Sequence, residues 1–248
     1  ADVVYAACGG AWYARGGIYK SNDRGETWKK LTASPIFVDN DGRLDGECIA
    51  VDPSDSNTVY CGTIYEGLLV SRDGGENWTT VSDIPITETR PKSEKEFSER
   101  NNIGIRSVYF IPDNKGGFAP CVSVYGKGIY TSLDGGKTWN IIPDSPKGTR
   151  RMVWYDNKLY ASCRTDSENS SGLYCYDGES WKSDAPIDGV QMNGVTAGTV
   201  GGKEVLFCGA HSGRKLFYKA DGEWHTVFNP SNASNNEVSE HMSWITVN

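Results

Sequence analysis

The amino-acid sequence predicts an all-β chain of short antiparallel strands, and three observations support this prediction. One eight-residue motif occurs three times, at Ser21–Trp28, Ser71–Trp78 and Ser132–Trp139. Each copy follows a short apolar segment that begins with glycine, at Gly17, Gly67 and Gly128. The composition, with 29 Gly and 8 Trp against 3 Met, suits tight turns between packed strands. We therefore expect many short strands joined by hairpins.

The shared pattern, Ser-x-Asp-x-Gly-x-(Thr/Asn)-Trp, is typical of a tight β-hairpin. The Asp carboxylate can accept hydrogen bonds from backbone amides that follow it, and Gly adopts the positive φ that the turn needs. The Trp that opens the next strand supplies a large apolar group for the seam between two sheets. The pattern resembles the Asp-box, a motif of several β-propeller proteins. We assign a structural Asp-box role to Asp23, Gly25, Trp28, Asp73, Gly75, Trp78, Asp134, Gly136 and Trp139.

Each Asp-box closes a longer repeat in which four strands are expected. A strand such as Cys48–Pro53 comes first, a second strand follows, a third precedes the box, and a fourth begins at the Trp. Two weaker copies, Tyr176–Trp181 and Lys219–Trp224, extend the series. Repeats of this length and strand content predict the four-stranded blades of a β-propeller. We expect one propeller domain over 1–248, with repeats at roughly 1–33, 46–82, 103–143, 150–183 and 192–228.

The number of blades stays open from the sequence. The first repeat begins with what reads as the second strand of a blade, whereas 243–248 read as a first strand without a second. The last strand could complete the first blade and close a ring of about five blades. Alternatively, the chain is an arc of a seven-bladed propeller.

Composition and motifs argue against several classes of function. The net charge of −7 disfavours nucleic acid as a partner, and no apolar run reaches the length of a membrane span. The three histidines lack metal-ligand spacing, and no nucleotide-binding or nucleophile-elbow motif occurs, so we expect no metal and no cofactor. The seven cysteines include no C-x-x-C, so we interpret them as reduced, small core residues. We expect a secreted or cell-surface protein, and reduced cysteines would also suit the cytoplasm.

Whole repeats resemble the xyloglucanases of glycoside hydrolase family 74. The resemblance lies in Gly42–Pro53, in Val51–Thr63 with the box strand Gly67–Trp78, and in the opening Val3–Lys20. It covers about residues 1–140 well and the remainder weakly. It implies a plant cell-wall β-glucan such as xyloglucan as the ligand. It also implies a second propeller as a partner, since the family's enzymes hold the glucan between two propellers and invert the anomeric centre with two aspartates.

The chain departs from that family at the catalytic positions. The family's base motif, Asp-(Ile/Val)-Gly-Gly-Ala-Tyr, has no match, and the comparable place in the second repeat is Thr63–Gly67, without aspartate. The second propeller, which would supply the acid, is absent from the 248 residues. We therefore assign no catalytic residue and expect no hydrolysis by this chain alone.

Candidate saccharide contacts lie mainly in the loops between the second and third strands of each repeat, away from the box turns. Aromatic rings there can stack on pyranose faces, while polar neighbours bond the hydroxyl groups. The candidates are Trp12, Tyr13, Arg15, Arg43, Asp45, Tyr65, Glu66, Arg106, Tyr125, Arg164, His211 and Arg214.

The resemblance favours a xyloglucan-recognising propeller that is part of, or derived from, a xyloglucan-hydrolysing enzyme. Two other functions remain as alternatives, a non-catalytic carbohydrate-binding propeller and a protein-binding scaffold or assembly propeller. Sialidases also contain Asp-boxes. They additionally need an arginine triad and an Arg-Ile-Pro signature, which Thr89–Pro91 matches poorly.

Overall fold

The computed structural model describes residues 2–9, 16–32, 47–86, 104–164, 171–188, 190–210 and 215–228. In these residues all regular secondary structure is β, with nineteen strands in five antiparallel sheets. Each sheet is a meander in which consecutive strands are hydrogen-bonded neighbours. The predicted fold class, all-β with successive antiparallel sheets, is confirmed. The chain divides into two compact units, 1–141 and 142–248.

The first unit contains three sheets. The first sheet has three strands, β1 (Val4–Cys8), β2 (Gly17–Ser21) and β3 (Lys29–Lys30). The second consists of β4 (Ile49–Asp52), β5 (Asp55–Gly62), β6 (Leu68–Ser71) and β7 (Thr79–Thr80). The third consists of β8 (Ile105–Pro112), β9 (Phe118–Val124), β10 (Gly128–Thr131) and β11 (Asn140–Ile141).

The second unit contains two four-stranded sheets. One consists of β12 (Thr149–Tyr155), β13 (Lys158–Cys163), β14 (Gly172–Tyr176) and β15 (Trp181–Ser183). The other consists of β16 (Met192–Val200), β17 (Lys203–Ala210), β18 (Leu216–Ala220) and β19 (Glu223–Phe228). Residues 243–248, the strand proposed to complete the first sheet, lie outside the described residues, so both modes of closure stay predictions.

The box turns connect the last two strands of each of the first three sheets through one hydrogen-bond pattern. In the second sheet, Asp73 accepts from the Ser71 hydroxyl at 2.8 Å and from the Asn77 backbone N–H at 2.9 Å. The Gly75 N–H donates to Ser71 Oγ at 2.8 Å, with Gly75 at φ +94°. Asp23 and Asp134 accept the same bonds, at Ser21 and Thr27 and at Ser132 and Thr138. The carboxylates are thus consumed within their turns.

The tryptophans of the three boxes differ from the expected buried plugs. Trp139 is 6% exposed and meets Tyr60 of the second sheet edge-on, with ring centroids 5.8 Å apart. Trp78 is half-buried, and Trp28 is 44% exposed. The Trp28 and Trp78 indoles each donate to the carbonyl of their own box glycine, Gly25 and Gly75, at 2.9 Å. The indole therefore closes its own turn, and the neighbouring sheet decides whether it is also buried.

Box turns in the first unit dock on the preceding sheet. The Gly74 carbonyl of the second box accepts from Tyr5 Oη and Lys20 Nζ, both at 3.0 Å. The Gly135 carbonyl of the third box accepts from Arg72 Nη2 at 2.9 Å. Apolar contacts fill the space behind these bonds, and the cluster between the second and third sheets contains Tyr60, Leu68, Val70, Ile84, Ile105, Val108, Phe110, Val122, Val124 and Trp139.

Candidate ligand-binding edge

In the second and third sheets, the loops 63–67 and 125–127 lie at the opposite end from the box turns, and we call this end of the first unit the loop edge. Arg164 follows β13 at the corresponding end of a sheet in the second unit. Of the twelve candidate residues, five are described, namely Tyr65, Glu66, Arg106, Tyr125 and Arg164. The others lie outside the described residues, and their assignment stays a prediction: Trp12, Tyr13, Arg15, Arg43, Asp45, His211 and Arg214.

The loop between β5 and β6 is held rigidly by one threonine. Thr63, which is fully buried, donates from Oγ1 to the Gly67 carbonyl at 2.7 Å and accepts from the Glu66 N–H at 2.9 Å. Gly67 has φ +78°, a conformation that glycine adopts readily. These bonds set the positions of Tyr65 and Glu66.

Gly104, just before β8, and Ile105, its first residue, are hydrogen-bonded to two loops of the first unit. The Ile105 N–H donates to the Thr63 carbonyl at 3.0 Å, and the Tyr125 N–H donates to the Gly104 carbonyl at 2.9 Å. Gly104 has φ +83°, and a Cβ there would lie 2.5 Å from the Ile64 Cα. Only glycine allows this close approach, which brings Tyr65 and Tyr125 to the same part of the loop edge.

Arg106 lies under this part of the edge, on a β-bulge. The register of β8 against β9 shifts between Ile105 and Ser107, so Arg106 is the extra residue. Its guanidinium carbon is 5.7 Å from the Tyr125 ring centroid, and the residue is 1% exposed. A bulge re-aims one side chain away from the regular alternation, and here it turns a cation toward an aromatic face.

Two of the predicted saccharide contacts, Tyr65 and Tyr125, are largely buried, at 5% and 6% exposed. Their stacking on a sugar stays a prediction. The bonds at Thr63 and Gly104 fix the backbone on either side of these two residues. Tyr65, Arg106 and Tyr125 therefore form the buried base of the edge, and Glu66 is half-buried beside them.

The same bulge recurs in both sheets of the second unit. Arg150 is the extra residue between Thr149 and Arg151, and Asn193 is the extra residue between Met192 and Gly194. They are 6% and 1% exposed. The Arg164 N–H donates to the Gly148 carbonyl at 3.2 Å, which places half-buried Arg164 at the same end as Arg150. Sequence reasoning missed Arg150 and Asn193, although a polar residue near the start of an otherwise apolar first strand was the available signal.

A cleft of about 320 Å³ opens in the second unit beside the weaker fourth box. Trp181 stacks on Tyr176 with ring centroids 5.1 Å apart. The cleft has aromatic, carboxylate and hydroxyl groups and is lined by Pro143, Asp144, Pro146, Tyr174, Glu179, Ser180 and Trp181. The sequence interpretation treated Trp181 only as a box residue, so this cleft was not foreseen.

The part of the chain that the structure describes shows no His, Cys, Asp or Glu grouping of three or more suited to a metal ion. Within the same described ranges, no helix is long and apolar enough to cross a membrane.

Comparisons with known proteins find similarity to xyloglucanases. No family model matches the chain. Xyloglucanase Xgh74A from Acetivibrio thermocellus is 35% identical over 142 residues, which is 54% of this chain and 17% of the enzyme. A xyloglucanase from Hypocrea jecorina is 30% identical over 215 residues, which is 76% of this chain and 26% of the enzyme. The chain therefore spans about a quarter or less of the length of these relatives.

Solved structures agree on the fold. The GH74 xyloglucanase from Xanthomonas campestris superposes with a TM-score of 0.69 at 23% identity, covering 92% of this chain and 36% of that chain. An ancestral GH74 enzyme superposes with a TM-score of 0.59 over 92% of this chain and 29% of its own. At these identities the likeness shows a shared β-propeller fold. Together with the sequence relatives, it confirms that this chain is a β-propeller segment resembling the xyloglucanases of glycoside hydrolase family 74.

Proposed function

We propose that this chain is a β-glucan-recognising propeller segment, with xyloglucan as its ligand, and that it is part of or derived from a xyloglucan-hydrolysing enzyme. The observation that carries the proposal is the similarity to xyloglucanases over more than half of the chain. Such a protein would meet its polysaccharide outside the cell, so the proposal includes a secreted or cell-surface location.

In this proposal the loop edge holds the glucan. Trp12 and Tyr13 supply the stacking faces, and Tyr65, Arg106 and Tyr125 form the buried base of the described part of the edge. Stacking orients the chain of sugars, while arginine and carboxylate side chains bond its hydroxyl groups. Inverting hydrolysis needs two carboxyl groups about 6.5–9.5 Å apart to admit water. This chain would contribute binding, and a second propeller would have to contribute the acid.

The absence of the family's base motif favours a second candidate, a carbohydrate-binding propeller without catalysis. The two candidates share the same ligand and the same edge. They differ in whether cleavage of xyloglucan accompanies binding once a partner propeller is present.

Titration calorimetry with xyloglucan oligosaccharides tests the shared proposal. We expect Trp12→Ala to weaken binding at least tenfold, since it removes one stacking face. Trp28→Ala is the matched control, because Trp28 is an exposed tryptophan in the Asp-box of the same sequence repeat. It should leave affinity unchanged.

A third variant, Trp181→Ala, distinguishes saccharide binding at the loop edge from binding in the cleft of the second unit. Loss of affinity in Trp181→Ala with none in Trp12→Ala would move the site to the cleft and contradict the proposed edge. No saccharide binding by the unaltered protein, together with a stoichiometric protein partner in a pull-down, would replace the proposal by a scaffold function.

A further inference from the structure

The cleft of the second unit is built around a tryptophan that its own turn does not hold. In the first two boxes the indole N–H donates to the carbonyl of a glycine in the same turn. In the fourth box the corresponding carbonyl, that of Gly178, accepts from Tyr176 Oη at 2.8 Å instead. Within the described residues, the Trp181 indole N–H has no hydrogen-bond partner. Tyr176 therefore closes this turn, and Trp181 is left to line the cleft.

Trp181 belongs to a row of aromatic rings on the hairpin of β14 and β15. It is paired with Tyr176 across the two strands and stacks on that ring at a centroid distance of 5.1 Å. Tyr174 lies two residues before Tyr176, on the same face of the strand, and its hydroxyl donates to the Ser171 carbonyl at 3.3 Å. All three rings are half-buried, so each keeps an accessible part.

The polar groups of the cleft are two carboxylates and a hydroxyl. Asp144, Glu179 and Ser180 are exposed and line the cleft together with Trp181. The described residues that line it include no Lys, Arg or His. Lys182, the residue after Trp181, is paired with Asp177 at 2.5 Å. The cleft thus offers hydrogen-bond acceptors and an aromatic wall, with negative charge.

These groups match an uncharged saccharide better than other ligands. Aromatic rings pack against the C–H face of a sugar ring, carboxylates accept hydrogen bonds from its hydroxyl groups, and the Ser180 hydroxyl can donate or accept. An anionic ligand would meet two carboxylates and no cation. A basic peptide would gain little from carboxylates that are exposed to water. The volume of about 320 Å³ lies at the lower end of the usual range for ligand sites, about 300–1,000 Å³, which suits a short stretch of sugar units.

We propose that this cleft is a second binding site, which takes an uncharged saccharide and shares no residue with the loop edge. The proposal rests on the proposed function for the identity of the saccharide, a β-glucan. The cleft lies wholly in the second unit, whereas Tyr65, Arg106 and Tyr125 of the loop edge lie in the first. The segment could then hold its polysaccharide at two places.

Nuclear magnetic resonance of the ¹⁵N-labelled full chain, titrated with cellotetraose, tests each site through its own tryptophan. Trp181→Phe and Trp12→Phe each remove one indole N–H resonance and thereby assign it. We expect the Trp181 resonance of the unaltered chain to shift and to reach saturation. The resonance of Trp28, an exposed box tryptophan outside the cleft, should stay in place.

Two charge-neutral substitutions test the class of ligand. The double variant Asp144→Asn, Glu179→Gln removes both negative charges and keeps an acceptor oxygen at each position. Hydrogen bonds to neutral groups are roughly half as strong as those to charged groups, so cellotetraose binding should weaken by less than about tenfold. Tetralysine should leave the Trp181 resonance of the unaltered chain in place.

The outcomes distinguish this proposal from the binding proposed at the loop edge. An unmoved Trp181 resonance at saturating cellotetraose would overturn the cleft site, whether or not the Trp12 resonance shifts. A shift at Trp181 without one at Trp12 would support the cleft and contradict the loop edge. A shift with tetralysine that the double variant abolishes, and none with cellotetraose, would show that the cleft takes a basic peptide and would also overturn the proposal.

Discussion

At the scale of single residues, the Asp-box carboxylates illustrate how local hydrogen bonds change acidity. Asp23 accepts from the Ser21 hydroxyl at 2.6 Å and from the side chain and the backbone N–H of Thr27. The Ser21 bond, followed by the two Thr27 bonds, lowers the pKa of Asp23 from 3.8 to about 2. The carboxylate is half-buried, and its ionised form is favoured by these donors, whereas burial acts in the opposite direction.

Replacing this carboxylate should change the response of the protein to acid. The folded-state pKa of Asp23 is depressed, so its contribution to stability is complete above about pH 4 and is lost as the pH falls through about 2. We expect Asp23→Asn to unfold at a lower temperature than the unaltered protein at pH 7, with a difference that shrinks between pH 4 and pH 2. Glu26→Gln, at an exposed carboxylate of the same turn, should match the unaltered protein in thermal melts. A difference that is constant with pH would contradict the assignment.

Two adjacent glycines of the third box allow the cost of backbone strain to be measured apart from the cost of a steric clash. Gly135 and Gly136 both have positive φ, at +75° and +84°. A Cβ on Gly135 would meet nothing within 4 Å, whereas one on Gly136 would collide with Tyr60 Oη of the neighbouring sheet.

We expect Gly135→Ala to cost about 1 kcal/mol, the usual penalty of a left-handed alanine. Gly136→Ala should cost at least about 3 kcal/mol, because overpacking adds to the strain. Urea unfolding of the two variants measures the difference. Equal losses would show that the third box does not pack tightly on Tyr60.

At the scale of elements, equivalent positions after the fourth-strand segment carry apolar side chains in the first unit and a charged side chain in the second unit. Leu31, Val81 and Asp184 each donate their backbone N–H to a backbone carbonyl in the strand that precedes the box. The acceptors are the carbonyls of Ile18, Leu68 and Leu173, each the first residue after a glycine. The first two positions are apolar. At the third, Asp184 accepts from Lys219 Nζ at 2.5 Å, from Tyr160 Oη at 2.8 Å and from Trp224 Nε1 at 3.2 Å. A polar network thus joins the two sheets of the second unit.

Breaking this network should be costly. The side chains of Lys219 and Asp184 are only 13% and 21% exposed, so Asp184→Ala leaves a mostly buried ammonium without its counter-ion. We expect a loss of about 3 kcal/mol in the free energy of unfolding. The double variant Asp184→Leu, Lys219→Met should recover most of that loss, since it recreates the apolar seam of Leu31 and Val81.

The control for this experiment is Asp221→Ala. Asp221 pairs with Lys203 at 2.8 Å, but the two side chains are 75% and 66% exposed. Exposed pairs contribute little to stability, so the unfolding midpoint should not change measurably. A similar loss in Asp184→Ala and Asp221→Ala would refute a special role of the seam network.

The sequence predicts the Asp-box hairpins but not the β-bulges, and the reason is physical. Hairpins such as Ser71–Trp78 are local, because each Asp-box bond joins residues at most four apart. The bulges at Arg106, Arg150 and Asn193 depend on the register of the first strand against the second. Register depends on both strands and on the turn between them, so the polar residue in the first strand is a signal but does not locate the bulge by itself.

At the scale of the whole molecule, catalysis is expected to need more than this chain. It carries similarity to xyloglucanases but no match to their base motif, and it spans 17% and 26% of two of them. We expect the 248-residue chain to bind xyloglucan and release no reducing ends from it in an overnight assay. Repeating the assay with a longer form that contains a second propeller tests the enzymatic proposal. Release of oligosaccharides by the short chain alone would show that the missing motif is not required.

The sequence by itself determined the class of fold and the repeats, because the signals are local and recur. Asp-box bonds and strand-forming segments act within about ten residues, so each repeat predicts its own hairpins. Tertiary structure decided which candidates are accessible. Tyr65 and Tyr125 are predicted saccharide contacts, and in the folded chain they are only 5% and 6% exposed. Burial depends on what neighbouring sheets place above a side chain, and residues distant in sequence supply those contacts.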